Sequence, residues 1–162
     1  MVDVGDAAPQ FTLPGTDGSE ITTYSLADYT EDGIAVLAFY PFDFSPVCTD
    51  ELCEFNDVEW LNFTEDVSLF GISTDSAYAH RAFIEEYGLT FPLLSDSSGQ
   101  VCADYGIQYD SWEEHESVSK RALFVVDEEN TVRYRWMTED ALESPSLDDV
   151  LAAMESVGTF SL

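Results

Sequence analysis

An unbroken apolar run in the first third of the chain most constrains its fold. Residues 34–40 read "IAVLAFY", seven apolar residues with no polar residue among them. A strand with one face in water alternates in hydrophobicity, whereas a strand buried on both faces reads as a continuous apolar run. The segments "VSLFGIS" (67–73) and "RALFVV" (121–126) are similar. We therefore predict a central sheet whose strands are covered on both sides by helices.

The segments between these strands have helical or hairpin patterns. Apolar residues recur at helical spacing in residues 49–63, in residues 76–87 and in a C-terminal segment from Leu147. In the second of these, the predicted core-facing residues are Ala79, Phe83 and Tyr87. Residues 131–136 alternate and follow the turn-like "DEEN", as in the outer arm of a hairpin. Residues 108–119 are predicted to form a long surface loop.

This order of elements predicts an α/β fold with a mixed central β-sheet flanked by helices. With 162 residues, of which 45% are hydrophobic, the chain is long enough for one domain with a sizeable core. We expect a single domain over residues 1–162. The longest apolar runs are too short to cross a membrane, and the N-terminal "MVDVGDAAPQ" lacks the pattern of a signal peptide. We therefore expect a cytoplasmic protein without membrane contact.

The charge balance is strongly acidic. The chain has 33 acidic and 5 basic residues, for a net charge of −28, and the carboxylates are spread along its whole length. Such self-repulsion is tolerable in multimolar salt, where the Debye length falls to about 3 Å or less. We interpret the composition as adaptation to salt. Nucleic-acid binding is not expected, because phosphate contact needs clustered Lys and Arg.

Two of the three cysteines lie close together in "YPFDFSPVCTDELCEF" (40–55). Cys48 falls where a strand has ended and a helix begins, so the helix dipole and unpaired N–H groups would lower the pKa of its thiol. Pro41 and Pro46 would fix the intervening loop, and the Ser45 hydroxyl could donate to a substrate oxygen. These residues favour a redox centre, with a packed core cysteine as the main alternative.

Two other kinds of site are less consistent with the spacing. A zinc site would need four ligands, and Cys48, Cys53, His80 and His115 lack a compact ligand spacing. No metal or cofactor is therefore expected. A cysteine hydrolase would need a histidine and an orienting acid, for which there is no local signature. His80 is expected on a helix surface and His115 in a loop among acids.

At the cysteine pair the sequence resembles the peroxiredoxins. Pro41, Ser45 and Cys48 fit the family signature Pro-x-x-x-Thr/Ser-x-x-Cys. The resemblance continues through "GISTDSAYAHRAFIEEYGLTFPLLSDSSGQVCADYGI" and through "KRALFVVDEENTVRY", which resembles the strand carrying the family's arginine, here Arg121. It extends from "VGDAAPQFTL" to the last helix. The sequence is most similar to the bacterioferritin-comigratory (Q-type) and one-cysteine E-type branches of the alkyl hydroperoxide reductase/thiol-specific antioxidant superfamily.

The resemblance implies a thioredoxin-like fold and a thiol-dependent peroxidase acting on hydrogen peroxide and organic hydroperoxides. Cys48 would be the nucleophile, in the loop that Pro41 shapes, with Arg121, Ser45 and backbone N–H groups stabilising the leaving oxygen. Glu51 would orient the arginine. For Arg121 the alternative is a surface salt bridge, and for Glu51 a generic acid in the first helical turn.

The resemblance leaves several points open. Cys53 would be the resolving cysteine, or else a buried inert thiol, and Cys102 is expected to be a packing residue. The aromatic residues Phe42, Phe44 and Trp112 would wall the site or form a dimer contact. A thioredoxin-like protein or a small thiol would be the reductant, and the protein would be a monomer or a homodimer. The alternative function is a non-enzymatic sensor that passes oxidation from Cys48 to a partner.

Overall fold

The computed structural model describes residues 2–56, 66–140 and 146–157. The strands are β1 (Thr12–Thr16), β2 (Ile21–Ser25), β3 (Ile34–Phe39), β4 (Val67–Ser73), β5 (Leu93–Ser95), β6 (Arg121–Val126) and β7 (Val132–Thr138). The helices are α1 (Leu26–Thr30), α2 (Pro46–Asn56), α3 (Ala77–Tyr87), α4 (Gln100–Asp104) and α5 (Leu147–Val157). None of the described helices is long and apolar enough to span a bilayer.

The described strands form one mixed sheet in the order β2-β1-β5-β4-β3-β6-β7. The central strands β3, β4 and β5 are parallel, and β6 runs antiparallel to β3. The outer strands β7, β1 and β2 are each antiparallel to their neighbours. A parallel pair requires a crossover connection, and α3 lies in the crossover from β4 to β5.

Side chains of the central strands alternate between two buried clusters, one on each face of the sheet. On β3, Leu37 and Phe39 belong to the cluster that includes residues of α1 and α4. Val36 and Ala38 belong to the cluster that includes residues of α2, α3 and α5. Every residue of β3 and β6 is buried, which explains their continuous apolar patterns and confirms the prediction of a sheet covered on both faces.

The elements predicted from long apolar patterns agree well with the structure. β4 and β6 have the predicted bounds, β3 ends one residue earlier than expected, and β7 is displaced by one or two residues. Residues 108–119 form an irregular segment closed by two isolated bridges, Gln108 to Ser119 and Trp112 to His115. The predicted helix over residues 49–63 begins earlier, at Pro46, and its part beyond Asn56 lies outside the described residues.

The strand β1 was not predicted, because Pro14 and Gly15 within it are poor strand formers. The structure gives a steric reason for the glycine. A Cβ at position 15 would lie 2.6 Å from Leu94 Cδ2 and 2.8 Å from the Leu93 carbonyl oxygen. β1 therefore approaches β5 so closely that a side chain at this position would clash. The tertiary contact overrides the local propensity.

Few of the carboxylates are neutralised by ion pairs. The described pairs that involve Lys or Arg join Lys120 to Glu139, Arg133 to Asp127 and Arg135 to Asp3, at 2.9, 3.1 and 3.9 Å. Five Lys and Arg residues cannot compensate 33 acids. Most of the acidic charge must therefore be screened by the solvent.

Lowering the salt concentration should destabilise the protein, because the uncompensated charges then repel across a longer screening length. We expect the melting temperature to fall by several degrees or more between multimolar and low KCl. A melting series in KCl measures this, with an equimolar sucrose series as the control for exclusion effects. A melting temperature that is flat or rises on dilution would contradict the interpretation of salt adaptation.

Candidate active site

The residues expected to act together lie at one edge of the sheet. The parallel strands β3, β4 and β5 end at this edge, and the loop that leads to α2 leaves from β3 there. β6 runs the other way, and its register pairs Ala122 with Phe39. Arg121, the first residue of β6, is therefore level with Tyr40, where the loop begins. Ligand sites of open α/β sheets commonly lie at the carboxyl ends of the strands.

The helix α2 begins two residues before Cys48. The Ser45 carbonyl oxygen accepts a hydrogen bond from the Thr49 N–H at 2.9 Å, which makes Ser45 the N-cap and Pro46 the first helical residue. Proline is favoured there because its fixed φ suits a helix and it has no N–H to satisfy. Cys48 is the third helical residue, inside the first turn and not before it. The side chains of Cys48 and Glu51 lie outside the described part of the structure.

The Ser45 hydroxyl is used within the loop. Its Oγ donates a hydrogen bond to the Phe42 carbonyl oxygen at 2.9 Å. This bond braces the loop just before the helix. For the hydroxyl to donate to a substrate oxygen, as the sequence suggested, it must rotate away from the carbonyl.

Arg121 is buried, with a side chain that is 1% exposed. Alternation along β6 places it on the same face as Leu123 and Val125, whose cluster includes Leu52 and Phe55 of α2. The alternative of a surface salt bridge is therefore wrong for this arginine. Pro41 is also buried.

The other two cysteines occupy different environments. Cys53 is half-buried on α2 and Cys102 is fully buried on α4, and both are thiols. Burial, with a smaller contribution from the charge of Asp96, raises the pKa of Cys102 to about 12. Its Sγ also contacts the Gly99 carbonyl oxygen at 3.2 Å. Cys102 is therefore a packing residue that stays protonated at neutral pH, as expected from the sequence.

The helical position of Cys53 limits its reach. Cys48 and Cys53 both lie within the continuous helix α2. Five residues correspond to a rise of about 7.5 Å along a helix and a rotation of roughly 140°. Bridged cysteines need Cα atoms within about 7 Å of each other. A disulfide between them therefore requires the start of α2 to unwind.

The prediction that His80 lies on a helix surface is wrong. The residue is fully buried on the inner face of α3. Its Nδ1 lies 2.7 Å from Asp43 Oδ2, and its Nε2 lies 2.9 Å from the Leu94 carbonyl oxygen. The inner face of α3 carries Ala77, His80, Phe83 and Ile84, and Tyr87 is 40% exposed. The core-facing side of this helix is thus rotated from the one we predicted.

Further polar contacts connect Asp43 to its surroundings. The Tyr40 hydroxyl donates to Asp43 Oδ1 at 2.6 Å, and burial together with the Asp43 charge raises the pKa of Tyr40 well above its usual value. The Asp43 N–H donates to Asp75 Oδ2 at 2.8 Å, and the Ser73 hydroxyl donates to the same oxygen at 2.7 Å. Burial, and then the charge of Asp43, raise the pKa of Asp75. We call Tyr40, Asp43, Ser73, Asp75 and His80 the Asp43 network.

Asp43, Asp75 and His80 also form a group of potential metal ligands among the described residues. Within the structure the imidazole contacts these groups directly, through Nδ1 to the Asp43 carboxylate and through Nε2 to the Leu94 carbonyl oxygen. We describe the group by these hydrogen bonds.

Aromatic rings lie on both sides of the loop before Cys48. The Phe42 ring is 5.7 Å from the Trp112 ring and 4.8 Å from the His115 ring, between centroids. His115 lies in an exposed loop, as expected. The Phe44 ring packs on Phe83 at 4.9 Å and is about half exposed. Phe42 and Trp112 thus contact each other within the chain, and their role as a wall of the site stays a prediction.

Sequence reasoning missed the Asp43 network because its members come from two separate stretches of the chain, residues 40–43 and 73–80. One local signal was present. His80 is three residues after Ala77 and four before Ile84, so a helix that buries those two also buries the histidine. A buried histidine requires polar partners, and the chain's many carboxylates could supply them.

Comparison with known protein families and proteins gives consistent matches. Residues 4–135 match the model of the AhpC/TSA family. The chain is 38% identical over 139 residues to a putative peroxiredoxin bcp of Coxiella burnetii, which covers 83% of this chain and 88% of that protein. It is 30% identical over 160 residues to a thioredoxin peroxidase of Echinococcus granulosus, with coverages of 94% and 80%.

The solved structures include close matches of the whole fold. The crystal structure of peroxidoxin BcpB from Mycobacterium tuberculosis superposes with a TM-score of 0.84 at 30% sequence identity. The match covers 98% of this chain and all of that one. The thioredoxin-like fold implied by the sequence resemblance is thus confirmed.

Proposed function

Because this chain belongs to the AhpC/TSA family and is a thiol-dependent peroxidase of the peroxiredoxin type, we propose that Cys48 is its peroxidatic cysteine. The observation that carries the assignment is the position of Cys48 in the first turn of α2, at the sheet edge where Arg121 begins β6. The helix N-terminus favours the thiolate over the thiol. A thiolate there can act as a nucleophile at neutral pH.

The proposed reaction is a displacement on the hydroperoxide. The Cys48 thiolate attacks the terminal oxygen of ROOH, an S–O bond forms, and the O–O bond breaks. Sulfur is oxidised to sulfenic acid, and the leaving oxygen takes a proton and departs as an alcohol, or as water from hydrogen peroxide. The reaction needs donors aimed at the leaving oxygen, on which negative charge develops.

We assign those donors to Arg121, the Ser45 hydroxyl and the N–H groups at the start of α2. The Arg121 guanidinium is permanently charged and presents its donors in a planar fork that can hold two oxygens at once. Its burial strengthens this interaction, since less water screens the charge. Glu51 is assigned to orient Arg121, and Pro41 shapes the loop and shields the sulfur from solvent.

We propose a thioredoxin-like protein as the reductant, supported by the relative named thioredoxin peroxidase. The oligomeric state, monomer or homodimer, and the cytoplasmic location stay predictions from the sequence. In a homodimer, Phe44 would contact the second subunit. The exposed ring of Phe44 is compatible with a contact to a second molecule.

The test of the proposed function is steady-state consumption of hydrogen peroxide and of an organic hydroperoxide in high salt. It is run with dithiothreitol and with thioredoxin plus its reductase. We expect many equivalents of peroxide to be consumed per protein chain. A single equivalent, followed by stable oxidised protein in the presence of reductant, would instead indicate the sensor function.

Cys53 is proposed as the resolving residue, and its replacement by serine should change the fate of oxidised Cys48. In the parent protein, stoichiometric peroxide should produce a Cys48–Cys53 linked peptide, because the sulfenic acid condenses with the second thiol and releases water. Cys53→Ser should stop at sulfenic acid and overoxidise more readily to sulfinic acid. Mass spectrometry distinguishes these products.

Hydrogen exchange on the same oxidised protein should detect the unwinding of α2. Amide exchange across residues 49–55 should be faster in the disulfide form than in the thiol form, because intact helical spacing exceeds disulfide reach. Cys102→Ser is the matched control and should give the parent's products. A Cys48–Cys102 link, or a stable sulfenic acid in the parent protein, would refute the two-cysteine mechanism.

A further inference from the structure

We propose that the buried ion pair between Asp43 and His80 positions the loop that carries Cys48 into the reactive geometry. It is a positioning pair and does not touch the substrate. The proposal rests on the proposed role of Cys48. It follows from the hydrogen bonds of the Asp43 network, from the backbone conformation next to Asp43 and from the short connection to α2.

His80 is the cation of the network. Each of its ring nitrogens faces a group that can only accept, the Asp43 carboxylate or the Leu94 carbonyl oxygen, so the ring carries both hydrogens. The groups that face it are the carboxylates of Asp43 and Asp75 and the Tyr40 hydroxyl, which is 3.5 Å from Nδ1. The imidazolium therefore offsets the cost of placing two carboxylates together away from water.

Asp43 is held by three other parts of the fold. Its Oδ1 accepts from Tyr40 after β3, its Oδ2 accepts from His80 on α3, and its N–H donates to Asp75 before α3. His80 is in turn anchored to β5 through the Leu94 carbonyl. The position of Asp43 is thus determined by the residue that follows β3, by the connection between β4 and α3, and by α3 itself.

The next residue shows why such anchoring is needed. Phe44 has a φ of +67°, in the left-handed region, which is unfavourable for a residue that is not glycine. Such a conformation persists only where the surroundings enforce it. The three hydrogen bonds of Asp43 on one side and the Phe44 ring on Phe83 on the other provide this restraint.

The restraint reaches the nucleophile through a short path. The N-cap Ser45 follows Asp43 by two residues, and Cys48 lies in the first turn after it. A shift of Asp43 therefore changes where α2 begins and where its N–H groups point. Displacements of about 1 Å at a reacting group can cost about 100-fold in rate. The Asp43–His80 pair is thus expected to control the peroxide reaction without contacting its atoms.

The test compares two variants that break the pair with a control that weakens the same helix elsewhere. Asp43→Asn removes the charge while keeping the shape, and His80→Gln can keep only one of the two donor contacts. Ser76→Ala removes the N-cap of α3, whose hydroxyl accepts from the Ala79 N–H at 3.1 Å, and leaves the pair intact. This change should lower the melting temperature, because one N–H at the start of α3 loses its acceptor.

Stopped-flow oxidation of Cys48 by peroxide is the main measurement, with the thiolate pKa of Cys48 followed by its pH-dependent alkylation. We expect both pair variants to react about 10- to 100-fold more slowly, with a raised thiolate pKa. The double variant should be no slower than the slower single variant, because the two residues act as a unit. Formation of the Cys48–Cys53 disulfide after oxidation should not be slowed, since a looser loop unwinds more easily.

Several outcomes would overturn the proposal. They are parent-like rates and thiolate pKa in both pair variants, multiplicative losses in the double variant, and an equal loss of rate in Ser76→Ala. If Asp43→Asn fails to fold, the rate of His80→Gln still tests the proposal. The nitrogen resonances of His80 in the parent protein test it independently. An unprotonated ring nitrogen at neutral pH would refute the ion pair. If instead the parent protein shows no oxidation at Cys48, it is the proposed function that fails.

Discussion

Replacing Cys48 by serine is expected to abolish peroxide consumption while leaving the fold intact. A serine hydroxyl stays almost entirely un-ionised at neutral pH, even at a helix N-terminus, so the nucleophile is lost. Steady-state consumption should fall to less than a few per cent of the parent rate, with an unchanged circular dichroism spectrum and melting temperature.

Cys102→Ser is the matched control for this loss. The Cys102 thiol is fully buried and protonated at neutral pH, because its pKa is raised to about 12. Its replacement should therefore leave the rate unchanged, apart from any small effect on stability. Residual activity of Cys48→Ser well above background, or loss of activity only in Cys102→Ser, would show that the nucleophile is misassigned.

Replacing Arg121 by lysine should remove much of the rate although the charge is kept. A lysine ammonium acts as a point charge and cannot hold two oxygens in the planar geometry of a guanidinium. Loss of one such donor to developing negative charge typically costs about 100- to 1000-fold. We expect a loss in this range in the rate of Cys48 oxidation, together with a raised thiolate pKa measured by alkylation.

Arg133→Lys provides the control for the arginine. Arg133 pairs with Asp127, which follows the other end of β6 from Arg121, and its side chain is 42% exposed. This substitution makes the same chemical change near the opposite end of β6, away from the loop that leads to Cys48. The Arg133→Lys variant should react with peroxide at the parent rate. A parent-like rate for Arg121→Lys would show that the proposed role of Arg121 in the reaction is wrong.

The sequence by itself determined the parts of this protein that depend on local pattern. The largely apolar segments of β3, β4 and β6 predict buried strands, because a strand that is covered on both faces needs apolar residues at most of its positions. The signature residues Pro41, Ser45 and Cys48 lie within eight residues of one another. Together with the resemblance of the strand that carries Arg121, these residues point to the family, and their position after β3 is consistent with a helix start close to the cysteine.

Short elements and long-range contacts were decided only by the tertiary structure. β1 contains Pro14 and Gly15, and its pairing depends on close contact with β5. The burial of Arg121 depends on the register between β3 and β6, which brings its strand end to the loop before Cys48.

The Asp43 network shows the same limit most clearly. Asp43 and His80 are 37 positions apart, and neither has a local pattern that identifies the other. Their pairing depends on which face of α3 turns toward the sheet and on where the loop after β3 crosses it. Hydrophobic periodicity indicates that one face of a helix is buried. It does not identify the partner of a buried polar group, because a hydrogen bond requires specific distances and directions that the packing of distant segments determines.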